Sequence, residues 1–186
     1  MSAPVKYVPG FVSDPARAFA ELLTLDWERR PDAPRCEYYC NDLNLPYMYG
    51  RGKGRRLYEP RPYNPTILAI RAALEAMTGS KFEVCFLNRY LNQSDHLGWH
   101  ADDSPEMDDA RPIGVVSLGV EREIWFRKKP ESLVANEDRR EGPLNFLQLL
   151  KASSSDGESW TVMSPRMSLS ITAPHGSRVG LIVECR

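Results

Sequence analysis

The sequence predicts one α+β domain that is mainly β, with helices near the N-terminus followed by antiparallel strands in a sandwich or barrel. From residue 82 onward the apolar residues lose helical spacing and form short runs of about five to nine residues. Parallel strands need long crossovers, usually helical, and no helical pattern separates these runs. In chain order the runs are FEVCFLNRYL, IGVVSLGV, REIWFRKK, PLNFLQLLK, SWTVMS and VGLIVEC.

Two segments before these strands carry helix signals. In SDPARAFAELLTL, Asp14 is placed to cap the helix and Pro15 to occupy its first position. This helix should bury Phe19, Leu22 and Leu23.

The second helix signal is the segment NPTILAIRAALEAMTG. It begins at the Asn64-Pro65 pair and closes at Gly79. Its apolar residues have helical spacing and predict a packed face made of Ile67, Ile70, Leu74 and Met77.

Length and composition favour one globular domain over residues 1–186. The chain has 42% hydrophobic and 26% charged residues, which is close to the average for globular proteins and argues against a disordered or fibrous class. The first fifteen residues, MSAPVKYVPGFVSDP, lack a basic start and a long apolar stretch, so we expect no membrane association and cytoplasmic residence (nuclear in a eukaryote). We separately expect a monomer.

Cysteine usage predicts free thiols. Four cysteines are too few for a disulfide scaffold in 186 residues, so buried or edge positions are expected. Cys36 and Cys40 have spacing that suits zinc, but a second pair of ligands is not evident.

A basic segment rich in tyrosine, YMYGRGKGRRLYEPRP, is a candidate nucleic-acid contact. The net charge of −1 predicts no general affinity for polyanions, so such a contact must be local. Cations can meet phosphates and aromatic rings can meet bases, although a solvated loop explains the composition equally well. The cations are Arg51, Lys53, Arg55, Arg56 and Arg61, interleaved with Tyr47, Tyr49 and Tyr58.

The stretch LGWHADDSP contains a candidate metal-binding pair. His100 and Asp102 are two positions apart, so in an extended backbone their side chains point to the same face. Non-haem Fe(II) oxygenases bind iron through two histidines and one carboxylate, and this pair would supply one histidine and the carboxylate. A turn histidine next to a capping aspartate is the alternative.

Residues 86–127 contain an ordered series of further motifs around that pair. Asn88-x-Tyr90 precedes His100-x-Asp102, and Pro112-Ile113 and then Ser117 to Gly119 follow it. In this order the motifs resemble the AlkB family of Fe(II)- and 2-oxoglutarate-dependent dioxygenases. The resemblance extends more weakly to YVPGFVSDPARAFAELLTLDW and PRCEYYCNDLNLPYMYGRG.

The resemblance implies a double-stranded β-helix, or jelly roll, with the N-terminal helices packed on one sheet. It implies iron ligation by His100 and Asp102 and hydrogen bonds from Asn88 and Tyr90 to 2-oxoglutarate. Residues 35–61 would form a nucleotide-recognition lid. The implied substrate-binding residues are Tyr47, Tyr49, Arg51, Lys53 and Arg55. Asp103, next to Asp102, is a candidate carboxylate for orienting the site or the base, and an exposed turn residue is the alternative.

The chain departs from the family pattern near its end. The family places its second iron histidine three residues before a proline, but that position before Pro174 is Ile171. His175 is then the remaining candidate for the distal ligand from the C-terminal strands, and an exposed turn histidine is the alternative.

The closing arginines of the family are matched in part. Arg178 takes the place of the first arginine, whereas Glu184 occupies the place of the second. By this resemblance Arg178 would bind the dicarboxylate of 2-oxoglutarate, and Arg186 would assist it. The even spacing of the two arginines is compatible with this role, since it keeps both on one face of a regular strand.

The function implied by the resemblance is oxidative dealkylation of N-alkylated bases in DNA or RNA, with O2 as cosubstrate, in the repair of alkylation damage. Two alternatives remain open. In one, the fold is kept without a complete iron site, which leaves a module that binds nucleic acid or protein. In the other, the chain is a hydroxylase or demethylase acting on protein or on a small molecule.

Overall fold

The computed structural model describes residues 6–31, 33–49, 55–101, 111–120, 123–128, 159–163, 167–172 and 180–186. The predicted strand PLNFLQLLK lies outside these residues. The elements are β1 (Lys6–Pro9), α1 (Pro15–Leu23), β2 (Glu28–Arg29), β3 (Cys36–Asn41), β4 (Tyr47–Tyr49), β5 (Arg56–Tyr58), α2 (Pro65–Thr78), β6 (Val84–Tyr90), β7 (Leu97–Ala101), β8 (Ile113–Gly119), β9 (Glu123–Lys128), β10 (Ser159–Met163), β11 (Met167–Thr172) and β12 (Gly180–Cys185).

The described strands form three sheets, in which neighbouring strands are antiparallel as predicted. A seven-stranded sheet has the order β1-β10-β8-β12-β6-β3-β2, and a three-stranded sheet has the order β7-β11-β9. Strands β4 and β5 form a separate hairpin. Strand β3 lies between β2 and β6, so the first part of the predicted lid segment belongs to the large sheet and the hairpin is the part outside it.

The first helix begins as the sequence predicts. The Asp14 carboxylate accepts a hydrogen bond from the backbone N–H of Arg17 at 3.1 Å, which satisfies one of the unpaired donors of the first turn. Leu22 is buried, whereas Phe19 and Leu23 are half-buried because they lie at the borders of the packed face.

The second helix is capped at both ends. Asn64 accepts from the backbone N–H of Thr66 at 2.7 Å, and Gly79 ends the helix with φ 71°, a conformation that glycine adopts without strain. The prediction of burial is confirmed for the apolar face except at Met77, which is 41% exposed. Met77 falls in the last turn at the edge of the apolar stripe, so it reaches past the sheet-facing side.

Helix α2 packs closely on strand β8 at Gly114. A Cβ atom at this glycine would lie 2.8 Å from Cδ1 of the buried Leu74. We therefore expect Gly114→Ala to displace Leu74 and to lower the free energy of unfolding by about 1–3 kcal/mol in urea denaturation. Gly98→Ala is the matched control, because its Cβ would meet nothing within 4 Å. Equal losses in both variants would contradict a packing origin.

The four cysteines are buried free thiols, as expected. Three of them form one row across adjacent strands, because Cys40 pairs in register with Cys85 and Cys85 pairs with Cys185. The Sγ atoms of Cys85 and Cys185 are 2.9 Å apart. Burial raises the pKa of Cys40 to about 12, and the contact with Cys185 together with burial raises the pKa of Cys85.

Neither helix in the described part of the chain is long and apolar enough to cross a membrane.

Candidate active site

A cavity lies between the seven-stranded sheet, strand β7 and the β4-β5 hairpin. Because side chains alternate along a strand, Phe86 and Asn88 of β6 share one face, and Glu184 of β12 pairs in register with Phe86. The residues that line the cavity are Arg35, Tyr47, Tyr58, Phe86, Asn88, Leu97, His100, Glu184 and Arg186. Three residues that sequence reasoning selects for metal or cosubstrate binding, Asn88, His100 and Arg186, are thus brought together.

His100 lies on β7, in the extended backbone that the sequence analysis assumed. Its Nδ1 is 2.9 Å from the backbone oxygen of Gly98. A carbonyl oxygen only accepts, so in the neutral ring Nδ1 carries the hydrogen and Nε2 carries the basic lone pair. Fixing the tautomer through Nδ1 is the usual support for a metal-ligating histidine. His96 makes the same kind of contact, with Ser94 at 2.9 Å, but it is exposed in the turn before β7.

The strand beside β7 carries the position at which the family pattern requires a second histidine. Ile171 of β11 pairs with the cavity residue Leu97, and Leu169 pairs with His100. Asp102, Asp103 and His175 lie outside the described residues. Among the residues that are described, no group of three or more His, Cys, Asp or Glu side chains is placed to hold a metal ion. His100 fits an iron ion through Nε2, and it is the one predicted ligand within the described part of the chain.

Arg35 is a cavity residue that the sequence analysis missed. Its Nε donates to Oδ1 of Asn88 at 2.8 Å, and its Nη2 is 2.5 Å from Oε1 of Glu37. All three side chains are buried. A usable signal was the alternation around β3, which puts Arg35 and Glu37 on one face of the strand.

Tyr90 is the second residue of β6 that is expected to bind 2-oxoglutarate. It is fully buried on β6 but is not among the residues that line this cavity. Its backbone pairs in register with Gly180, at the end of the sheet away from Glu184. Alternation along β6 places Tyr90 on the same face as Asn88, and its role in binding 2-oxoglutarate stays a prediction.

At the other end of β12, the buried Glu184 and the half-buried Arg186 form an ion pair in the cavity. The Nε and Nη2 atoms of Arg186 lie 2.8 and 2.7 Å from Oε1 of Glu184. Arg186 thus lines the cavity, as expected. The sequence did not predict that Glu184 would be its carboxylate partner. Arg178 lies outside the described residues. A guanidinium and an amide suit the carboxylates of 2-oxoglutarate, so the cavity has donors that fit this group.

Aromatic rings form one wall of the cavity. Tyr58 contacts Phe86 edge-on with ring centroids 4.9 Å apart, and Tyr47 stacks on Tyr58 at 6.4 Å. The guanidinium of Arg30 lies 4.7 Å from the centroid of the Tyr58 ring. The Tyr58 hydroxyl donates to Glu37 at 3.2 Å, and burial raises the pKa of this tyrosine.

Of the other predicted lid residues, Tyr49 ends β4 and Arg55 is exposed directly before β5. Arg51 and Lys53 lie outside the described residues.

Comparison with known proteins defines the class of this protein. Residues 27–154 match the family described as the 2OG-Fe(II) oxygenase superfamily. The structure of OsALKBH1 is similar with a TM-score of 0.61 and 12% identity, over 100% of this chain and 99% of that chain. An oxidoreductase of the 2OG-Fe(II) oxygenase family from Burkholderia pseudomallei is similar with a TM-score of 0.51 and 16% identity, over 97% and 82% of the two chains. The predicted jelly-roll fold is confirmed, and the chain belongs to the 2OG-Fe(II) oxygenase superfamily.

Curated proteins of the AlkB group are similar to this chain in sequence. DNA oxidative demethylase ALKBH2 from Homo sapiens is 31% identical over 148 residues, which are 73% of this chain and 55% of that protein. Alpha-ketoglutarate-dependent dioxygenase alkB homolog 3 from Bos taurus is 32% identical over 134 residues, or 66% and 45% of the two proteins. The chain thus spans about half the length of these relatives. The AlkB resemblance is confirmed, and the family implies Fe(II) and 2-oxoglutarate as cofactors.

Proposed function

We propose that this chain is an Fe(II)- and 2-oxoglutarate-dependent dioxygenase that removes alkyl groups from nitrogen atoms of bases in DNA or RNA. One observation carries the proposal: a single cavity is lined by His100, Asn88 and Arg186 together with Tyr47 and Tyr58. Such a cavity has donors for a metal and a dicarboxylate beside aromatic side chains of the kind that contact bases.

In the proposed enzyme, His100 binds iron through Nε2, and Asp102 and His175 are the other predicted ligands. Asn88 and Arg186 bind the carboxylates of 2-oxoglutarate by charge-assisted and amide hydrogen bonds. Bound iron supplies the chemistry of O2 and 2-oxoglutarate, which oxidises the alkyl carbon attached to the base. We also propose that the enzyme is a monomer.

The aromatic wall is proposed to hold the alkylated base. Stacking of a base on an aromatic side chain contributes about 1–3 kcal/mol and tolerates different bases. In a duplex the target base must leave the stack before it can enter a closed cavity. The names of the relatives support a nucleic-acid substrate, since ALKBH2 is called a DNA oxidative demethylase.

The proposed function is tested first by binding and then by product formation. Fe(II) is titrated anaerobically with and without 2-oxoglutarate, and formaldehyde is then measured after incubation with N-methylated DNA and RNA oligonucleotides. The proposal requires iron binding that 2-oxoglutarate strengthens, followed by formaldehyde release. A chain that binds iron and 2-oxoglutarate but releases no formaldehyde from either nucleic acid acts on a different substrate.

A second candidate is a binding module that keeps the fold without an active iron centre. Ile171 favours it, because this apolar residue stands where the family pattern has a metal-binding histidine and lies on the strand beside His100. The two candidates differ in their response to cofactors. Fe(II) with 2-oxoglutarate raises the melting temperature of the enzyme and leaves that of the binding module unchanged, because a ligand that binds the native state stabilises it.

The basic residues around the hairpin provide a test of nucleic-acid binding. We expect simultaneous replacement of Arg51, Lys53, Arg55 and Arg56 by alanine to weaken oligonucleotide binding. The magnitude of the negative slope of log K against log salt concentration should decrease by about 0.7–0.9 for each phosphate that the variant no longer neutralises. Fluorescence anisotropy at several salt concentrations measures both quantities.

The matched control replaces four exposed cations outside the hairpin, Lys6, Arg17, Lys81 and Arg111, by alanine. It should leave affinity and salt slope unchanged. Weakening of the same size in the control would show that binding follows overall charge and not the hairpin.

A further inference from the structure

The carboxylate of Glu184 already forms an ion pair with Arg186, the arginine that we propose binds 2-oxoglutarate. Glu184 is only 2% exposed and lines the same cavity as His100 and Asn88. Arg186 directs both Nε and Nη2 at one oxygen of Glu184, at 2.8 and 2.7 Å. An arginine uses these same two donors to bind the carboxylate of a ligand.

Described residues around the cavity form ion pairs with each other. Arg186 is paired with Glu184, and Arg35 is paired with Glu37, which also lies 3.8 Å from Arg30. A dianion that enters such a site must displace a carboxylate from its arginine or approach it closely. Like charges at short distance in a buried site repel strongly, because the low local dielectric increases their interaction.

We propose that Glu184 is a specificity-determining residue that competes with the distal carboxylate of 2-oxoglutarate for Arg186. This inference rests on the proposed function. The wild-type chain then binds 2-oxoglutarate weakly and discriminates little between it and a 2-oxo acid with one carboxylate. Removing the charge of Glu184 releases Arg186 for the ligand and restores the preference for the dicarboxylate.

The test compares two probes on two proteins. Dissociation constants of 2-oxoglutarate and 2-oxobutyrate are measured by anaerobic calorimetry with Fe(II) present, for the wild type and for Glu184→Gln. The amide keeps the size and an acceptor oxygen but lacks the charge. We expect Glu184→Gln to bind 2-oxoglutarate about tenfold more tightly and 2-oxobutyrate with affinity changed less than about twofold.

A buried carboxylate outside the cavity controls for general loss of an ion pair. Asp95 is buried and accepts two hydrogen bonds from Arg29 at 2.9 Å. Asp95→Asn removes a comparable charge, yet it should leave the ratio of the two dissociation constants unchanged. A ratio that rises equally in this variant overturns the inference.

Two further results overturn it. One is weaker 2-oxoglutarate binding in Glu184→Gln, which shows that Glu184 positions Arg186 for the ligand instead of competing with it. The other needs no variant. If the wild type prefers 2-oxoglutarate over 2-oxobutyrate by more than about a hundredfold, Glu184 does not compete with the ligand for Arg186. If neither the wild type nor the variant binds 2-oxoglutarate at all, the proposed function itself fails, whereas binding with an unchanged ratio rejects the role of Glu184 alone.

Discussion

Replacement of His100 by alanine is expected to abolish measurable Fe(II) binding while the fold is kept. His100 is half-buried on β7 and presents Nε2 as a ligand, and each protein ligand of a metal site contributes a large share of the affinity. Anaerobic Fe(II) titration measures the loss, and circular dichroism checks the fold.

His96→Ala is the matched control for this prediction. Its ring makes the same contact with the carbonyl oxygen two residues earlier, at 2.9 Å, but it is exposed outside the cavity. Iron binding should be unchanged in this variant. Loss of binding in His175→Ala as well would identify the second histidine. Undiminished binding in His100→Ala would refute the assignment of the site.

Leu87→Ala is expected to lower the free energy of unfolding by about 2–5 kcal/mol, because it leaves a cavity in the core. Leu87 is fully buried on β6 in the main apolar cluster. Its neighbours Phe86 and Asn88 face the active-site cavity on the other side of the same strand. The effect should appear in urea denaturation.

Leu87 faces the core and not the cavity, so its truncation should lower stability without weakening ligand binding. Affinity for 2-oxoglutarate, measured at a temperature where the variant is folded, should stay close to that of the wild type. Met77→Ala is the control, since Met77 is exposed and its truncation should change stability by less than about 0.5 kcal/mol. A large loss of ligand affinity in Leu87→Ala would show that the core face and the cavity face of β6 are coupled.

The sequence predicts those helices and strands whose formation depends on residues that are close together in the chain. Both helix starts are visible because Asp14 and Asn64 supply acceptors for unpaired backbone N–H groups. Strands β6 and β8 are visible because their continuous apolar runs suit a sheet covered on both faces. The extended backbone at His100 follows in the same way from its position in a short strand.

Sequence reasoning misses the elements whose environment is set by distant residues. Strand β3 contains Glu37 and two tyrosines, so its sequence does not resemble that of a core strand, yet all but the last of its residues are buried. Glu37 is tolerated there because Arg35 and Tyr58 provide donors, one from just before β3 and one from β5.

The closing strand shows the limit of a family pattern. The pattern marks Glu184 as a departure from the expected arginine, but the partner of Glu184 comes from Arg186, two residues further along the chain. Pairing within one face of a strand is a geometric consequence that the motif alone does not contain. The pattern likewise identifies Ile171 as a departure, and the sheet register then places that residue beside Leu97.

The reactivity of the thiols in the row across β3, β6 and β12 can be used to measure local unfolding of these three strands. Thiols react as thiolates, and burial with a raised pKa keeps Cys40 and Cys85 protonated and out of reach of electrophiles in the folded chain. Each strand of this row contributes residues next to or within the cavity. Labelling by a thiol reagent therefore measures how often these three strands separate, and slower labelling in the presence of a ligand would report how firmly that ligand closes the sheet around it.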